Sequence, residues 1–448
     1  MQTNGYDYAF ALLTDVVNDI LAHNLGGRKI EIDYNTTDKD TGTVVNAHML
    51  FAPWSIVPGG GNSLINLKLP VSRGVMSHHS GPLDPNSYDL AGVSVIVQVE
   101  LGWLGPGDPQ QATGHGDQTK LVFSPSGKSK DNPGYVSPVA ILDPNKRLDT
   151  IGTALLKATI VQGLVDHKDA LQYIFADVNP TPPHVSSWLN PVKWQYYVVD
   201  SKSGPSALCF LSQLSDKPFP DEPTFDGNNL DKSHDALLLI SQVMLFQHVV
   251  QPGVEKSFPD GSFTRSVDGE GAVTIENKGN FDVGKVTAHS YRLTTSEQGN
   301  GLAIKCSGGG PLKFLFGIAK LPNASYSWGV STVNPLSDSD GRVSFKTDPQ
   351  PTKTHDQTIH WYDWVLLVVL GITSLPTLIS FIVDAVNHFY DQSDSMGLGK
   401  INDEFQDSVD GTVVNLAKLI SWTNDGESFK PATAALQHAF YVRGDLEA

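Results

Sequence analysis

The chain has 448 residues, enough for two ordinary domains or one large elongated one with a sizeable core. With 31 Lys and Arg against 48 Asp and Glu, its formal charge of −17 repels phosphate backbones, which excludes bulk nucleic-acid binding. Only 18% of the residues are charged, against roughly 25% in soluble domains, and Gly and Pro are plentiful, a mixture that suits strands joined by many turns.

Taken in order, Asn4 or Asp7 is expected to cap a first amphipathic helix. Its apolar residues Phe10, Leu13, Val17, Ile20 and Leu21 follow helical steps, and it ends near Gly26-Gly27. The opening residues have no basic n-region and carry Asp7 and Asp15, unlike a Sec signal peptide. Synthesis in the cytoplasm is expected, with any release following a route without a Sec signal. The period then changes to two. Ile65, Leu67, Leu69 and Val71 alternate with polar residues or proline, as do Val93, Val95, Val97, Val99 and Leu101, which predicts antiparallel strands with one buried face. Ile96 breaks the second alternation and implies local cover on its outer side.

From Trp103 to Pro138 the composition turns to Gly, Pro, Asp and Ser, as in a long loop or flap. A helix follows over roughly Leu148 to Leu171, then the run Tyr173 to Val178, stopped by Pro180, Pro182 and Pro183, and an aromatic strand from Trp194 to Val199. Asp235 to Val250 is apolar enough for a buried helix or a long strand, and periodicity leaves both open. Between Ser262 and Lys346 short strands alternate with turn signals such as Asp268-Gly269, Asn300-Gly301, Gly308-Gly309-Gly310-Pro311 and Asp340-Gly341. Ile401 to Trp422 has the spacing of a long amphipathic helix, and Leu436 to Leu446 reads as a closing strand.

One stretch before that helix is unusual. Trp364 to Val383 runs about twenty residues without a charge, the length that crosses a bilayer core. Pro376 and Gly371 divide it, however, and Thr377, Ser380, Asp384, Asn387 and Asp391 draw a polar stripe down its second half. Neither flank carries a basic cluster. A buried or membrane-touching helical hairpin is expected rather than a span. Its residues Trp361, Trp364, Leu366, Leu370, Ile379, Phe381 and Phe389 are the candidate contacts for an apolar ligand or a membrane.

The search for catalytic signatures is negative. Gly127-Lys128-Ser129 has Val122 where a phosphate-binding loop needs glycine, and neither Gly92 to Ile96 nor Gly329 to Val333 has the second glycine of a nucleophile elbow. His355 and His360 lack zincin spacing, His78 and His79 point to opposite sides of a strand, and Asp338-Ser339-Asp340-Gly341 is too short for a calcium loop. Cys209 and Cys306 are either two buried thiols or one bridge. No cofactor or metal is expected.

Several pieces, in order, carry a likeness. They are Asn4-Gly5-Tyr6-Asp7 with Val17-Asn18; Asn66-Leu67-Lys68-Leu69-Pro70 with Tyr88-Asp89-Leu90; Tyr173 to Val178; Ala236 to Ser241 leading to Gln251-Pro252-Gly253; and Ile420-Ser421-Trp422 before Ala439-Phe440 and Gly444. Together they resemble the clostridial forty-seven-kilodalton accessory protein family encoded beside OrfX proteins in botulinum-type neurotoxin gene clusters. Tyr6 stands where that family has tryptophan, and Thr423 where it has proline. The resemblance implies a tubular lipid-binding (TULIP) fold without enzyme activity.

The expectation is therefore an α+β, TULIP-like fold: strongly curved antiparallel sheet wrapped around long amphipathic helices, elongated. It forms one unit over 1–448, or two subdomains divided near 205–230, with the terminal helices packed together. The expected function is non-enzymatic binding of lipid, another apolar ligand or a membrane surface, as an accessory component of a toxin or insecticidal gene cluster. Expected partners are that ligand and proteins of the same cluster, with peripheral membrane contact and no nucleic acid. The alternatives are a protein–protein scaffold with a closed seam, an enzyme with a dispersed site, and an integral membrane protein.

Overall fold

The computed structural model describes residues 2–80, 85–127, 133–178, 187–200, 204–221, 224–283, 286–297, 300–314, 319–339, 342–358, 387, 394–407, 420–421 and 428–447. The chain divides into two compact units. The first comprises Thr3–Leu238, Val414–Lys430 and Arg443–Ala448, the second Met1–Gln2, Leu239–Val413 and Pro431–Val442.

The first unit begins with strand β1 (Tyr8–Leu13) and helix α1 (Thr14–Gly26), which corrects the expectation of a helix from the start. All six strand residues are buried, in register from Tyr8↔Ser212 to Leu13↔Ala207. A strand covered on both faces reads as a continuous apolar run, so Phe10 and Leu13 match helical steps only by coincidence with Val17 beyond the boundary. Asp7 caps no helix. It is buried, accepts the Leu214 N–H at 3.0 Å and pairs with Lys217 at 2.5 Å.

Next come β2 (Ile30–Thr37), β3 (Thr43–Phe51), β4 (Ser55–Gly61), β5 (Leu64–Ser80), β6 (Asn86–Asp89), β7 (Ser94–Glu100), β8 (Gly102–Leu104), β9 (Gly114–His115), β10 (Lys120–Phe123) and β11 (Val136–Leu142). One antiparallel sheet runs β11-β7-β5-β3-β2, with β4 and β6 also paired to β5. The expected alternations are its inner face: Ile65, Leu67, Leu69 and Val71 are buried together with Val93, Val95, Val97 and Val99. Ile96 is half-buried between Lys68 and Ala140. The Asn18 carboxamide on α1 exchanges two hydrogen bonds with the backbone of Ile56 and ties the helix to β4.

The described residues of the stretch from Trp103 to Pro138 do not form a flap. Trp103, Leu121, Val122 and Phe123 are fully buried, and Trp103 stands edge-on to Trp194 and Phe210 at 6.1 and 5.8 Å. Its glycines and prolines turn the chain between short strands that hold these apolar anchors. Helices α2 (Thr150–Asp166) and α3 (Lys168–Leu171) follow, then β12 (Tyr173–Val178), β13 (Lys193–Val199) and β14 (Ala207–Gln213). Strands β1, β14, β13 and β9 are consecutive neighbours in a second sheet, and β12, β10 and β8 in a third.

Asp235 to Val250 proves to be both alternatives in succession: β15 (Ala236–Ser241), then α4 (Gln242–Leu245) and a π-helical turn, Phe246–Val250, leading into α5 (Gln251–Ser257). The Ser241 hydroxyl marks the switch by accepting the Met244 N–H at 3.3 Å.

In the second unit β16 (Phe263–Val267), β17 (Val273–Asn277), β18 (Phe281–Val283), β19 (Val286–Thr295), β20 (Gly301–Phe314), β21 (Ala319–Ser339), β22 (Arg342–Phe345) and β23 (Thr352–Thr358) build an eight-stranded sheet. Phe258, Phe263, Phe281 and Tyr291 cluster at ring separations of 5.1 to 6.3 Å. The Tyr291 hydroxyl donates to the Met396 carbonyl of α6 (Asp394–Phe405). Helix α6 packs on α5, and the two approach at Gly253: a Cβ there would lie 2.6 Å from Ile401 Cα.

The helix expected over Ile401 to Trp422 thus starts earlier, at Asp394, and its far end is different in kind. Ile420 and Ser421 form β24 (Ile420–Ser421) beside Val178 and Asp177, where pairing with β12 overrides the helical period. The closing strand is one of two, β25 (Ser428–Leu436) and β26 (Ala439–Glu447). Cys209 and Cys306 are free and buried. The architecture is mainly antiparallel sheet with few helices, and among the described residues only α1, α2 and α6 exceed ten residues. No described helix is long and apolar enough to cross a membrane.

Two variants test these contacts. Gly253→Ala places a methyl group against Ile401 backbone that cannot yield, and should lower stability by about 1–3 kcal/mol in urea unfolding. Asp7→Asn should cost about 1–3 kcal/mol by weakening a buried charge-assisted contact, and the double variant with Lys217→Met should recover part of that loss.

Candidate functional site

Helix α2 carries only two ionisable residues, Lys157 and Asp166, in the run TIGTALLKATIVQGLVD. A helix apolar on nearly all sides has to be covered on nearly all sides. Leu156, Ile160, Val161 and Leu164 are buried where α2 packs on β11 and β2. Two glycines let it approach the strands: a Cβ on Gly152 would lie 2.7 Å from the Tyr88 ring, and one on Gly163 would lie 2.8 Å from Ile32.

The N-terminal half is different. Ile151 is 56% exposed, Ala154 and Ala158 are exposed, and Leu142 at the end of β11 is 42% exposed. A shallow depression of about 580 Å³, wide open to solvent, lies there, lined by Leu148, Asp149, Thr150, Thr153, Ala154 and Lys157. Its lining combines apolar Leu148 and Ala154 with one carboxylate, two hydroxyls and one ammonium.

The depression is held by a polar frame. Asp149 caps α2 by accepting the Gly152 N–H at 2.7 Å. That bond holds its carboxyl below the usual carboxylate range against the opposing effect of burial, with further help from the Tyr88 hydroxyl, the Ile151 N–H and nearby His78. Burial, and then the bond to Asp149, push the Tyr88 phenol up. The His78 ring lies parallel to that of Tyr88, 5.9 Å away. In the preceding loop, burial would raise the carboxyl of Asp143, but N–H groups of Leu148, Arg147 and Asn145 outweigh it and hold the group down. Arg147 pairs with Asp89.

One metal-type cluster occurs among the described residues, and no spacing in the sequence marks it. Asp33 and His48 are cross-strand partners on β2 and β3, and Glu31 lies two residues from Asp33 on the same face. The donor atoms fall within 4.8 Å of one another. Asp33 lies 2.6 Å from Nδ1 of His48 and Glu31 3.4 Å from Nε2, so carboxylates engage both ring nitrogens. The group is an exposed charge cluster with Lys29 also on Glu31.

The seven candidate contacts Trp361, Trp364, Leu366, Leu370, Ile379, Phe381 and Phe389 lie outside the described residues, as does the whole stretch Trp364 to Val383. Asn387 of the polar stripe is described. It is helical, and its side-chain oxygen accepts from Lys353 at 2.9 Å. Of the glycine runs, Gly308 lies in β20 with its open side against the Thr287 carbonyl and the Trp328 ring, which is a packing role. The α2 depression went unnamed from sequence, although an Asp followed by a helix with so few charges was a legible signal for it.

Antiparallel sheets carrying a few closely seated helices, with an apolar helix partly open at one end, define a class of sheet-rich proteins built to cover apolar helices. The comparisons narrow this class. The family described as OrfX-like, Protein OrfX2/OrfX3/P47, matches residues 3–297, and the chain belongs to it. Protein P47 of Clostridium botulinum (strain Kyoto / Type A2) is 22% identical over 252 residues, and that match spans 56% of this chain and 56% of the relative. The fold is that of two solved structures. P47 from Clostridium botulinum A2 superposes with a TM-score of 0.72 at 19% identity, covering 99% of this chain and 98% of the other. P47 of Clostridium botulinum E1 gives 0.66 at 16% identity, covering 99% and 100%.

The cap makes a pH-dependent prediction. Because the Asp149 carboxyl is held below its unfolded value, its contribution is present above about pH 3.9 and disappears as pH falls through the folded value. Asp149→Ala should lower the thermal midpoint at neutral pH, and its midpoint should converge with that of the parent protein below that range in a pH series of melting curves.

Proposed function

We propose that this chain is a non-catalytic TULIP-type protein that holds a lipid or similar apolar molecule, or contacts a membrane surface. On this reading it acts as an accessory component of a bacterial toxin or insecticidal gene cluster, alongside proteins encoded with it. The observation that carries the reading is α2: an almost uncharged helix seated on a sheet, whose N-terminal half leaves Ile151, Ala154 and Ala158 exposed near a shallow open depression. Exposing such residues costs about 25 cal/mol for each Å² of apolar surface, a cost an apolar guest would relieve. The polar lining suits the head of an amphiphile while its chain follows Leu148 and Ala154. Membership of a family that includes P47 supports the toxin-cluster setting.

A scaffold with a closed seam is the second reading. Its support is the close contact of Gly152 with Tyr88 and Gly163 with Ile32, which fills the space between α2 and its sheet with the protein's own side chains.

Native mass spectrometry with lipid analysis of extracts decides between them. The first reading expects a bound apolar molecule whose occupancy falls roughly tenfold in Ala154→Trp, equivalent to losing about 1.4 kcal/mol of contact. Unliganded protein that also ignores liposomes, but co-purifies with products of neighbouring genes, would establish the scaffold instead.

A further inference from the structure

Two Asn-Gly pairs lie in this chain, Asn4-Gly5 and Asn300-Gly301, each with a left-handed asparagine but under different restraint. Asn4 has φ 49° and Gly5 φ 90°, and the Tyr6 N–H donates to the Thr3 carbonyl at 3.0 Å, the signature of a tight turn with both central residues left-handed. Gly5 is exposed and Asn4 half-buried. The Asn4 side chain makes one long bond, Nδ2 to the Thr224 carbonyl at 3.4 Å. Asn300, with φ 60°, is held on three sides: its N–H donates to the Leu436 carbonyl at 2.7 Å, its carbonyl accepts the Leu336 N–H at 2.9 Å, and its Oδ1 accepts the Leu436 N–H at 3.2 Å. Gly301 beyond it is buried in β20, opposite Pro335.

We infer that Asn4 is a site of spontaneous covalent modification in the folded protein and that Asn300 is protected. The amide nitrogen of Gly5 attacks Asn4 Cγ, a C–N bond forms, and the side-chain nitrogen leaves as ammonia. Water then opens the resulting ring at either carbonyl, giving aspartate or isoaspartate. Glycine is the residue that hinders this attack least, because it places no side chain beside the nucleophile. The attack requires the turn to open locally. At Asn4 that breaks the Thr3–Tyr6 bond and the bond from Gln213 Nε2 to the Gly5 carbonyl at 3.2 Å, whereas at Asn300 it breaks bonds that knit strands together.

The consequence reaches the interior of the first unit. Three residues on, Asp7 is seated against Leu214 and Lys217. Isoaspartate routes the backbone through the side-chain carbon and lengthens it at the turn that positions this carboxylate. It also removes the Asn4 donor to Thr224 and adds a negative charge.

The full chain, warmed at mildly alkaline pH, is sampled over time for peptide mapping by mass spectrometry and for isoaspartate content, folded and in urea. In the folded state Asn4 should convert ~10-fold or more faster than Asn300, and unfolding should bring the two rates together. Equal rates in the folded protein, or conversion of Asn300 first, overturns the inference. Asn4→Ser should abolish the new acidic species. Persistence of that species in the variant also overturns the assignment.

Discussion

A helix without a polar face of its own has to be hidden, and α2 places that demand on the first unit. The sheet answers with its alternation: every second residue of β5 and β7 points to one side, where Ile65, Leu67, Val95, Val97 and their neighbours exclude water. Glycines at 152 and 163 let the helix backbone come down to Tyr88 and Ile32, closer than any side chain would permit. Where the cover ends, in the N-terminal half, a cap, a phenol and a charged loop stand in for it. The depression is therefore a product of incomplete cover and needs no separate device.

The second unit meets the same demand with aromatic side chains. Phe258, Phe263, Phe281 and Tyr291 pack edge to face, and Phe405 on α6 stands between Phe345 and Phe440 at 5.6 and 5.3 Å. Two amide side chains that enter this interior are fully engaged. Gln242 accepts the Val273 N–H and donates to the Gln437 carbonyl, and Asn334 serves Leu302, Thr332 and Asp348. Each amide closes a gap in backbone pairing, which fixes one arrangement of the surrounding strands.

The strands with one wet face were legible in the sequence because exposure to water writes a period of two. Tyr8 to Leu13 was not, since burial on both faces erases the period and left the run to be read with the helix that follows. The same loss of period hid the change from strand to helix at Ser241, although a serine followed by the apolar α4 was a fair local signal. Ile420 and Ser421 carry helical spacing yet form a strand, because β12 offers open pairing groups and local preference is weak beside them. The site was less legible than the fold. Asp33, His48 and Glu31 meet through register, Tyr88 and Asp149 through packing, and neither relation can be counted along the chain.

Strand β1 has one further consequence, in time rather than in space. Its partner in β14 lies about two hundred residues further along the chain, so Tyr8 cannot find Ser212 until that length has left the ribosome. Six consecutive apolar residues must wait through synthesis with neither face covered. The loop that finally closes over them is long, and its entropy cost falls before any contact repays it. A nascent chain of this design has a prolonged sticky phase, and the speed with which β14 arrives sets how much of it reaches the folded state.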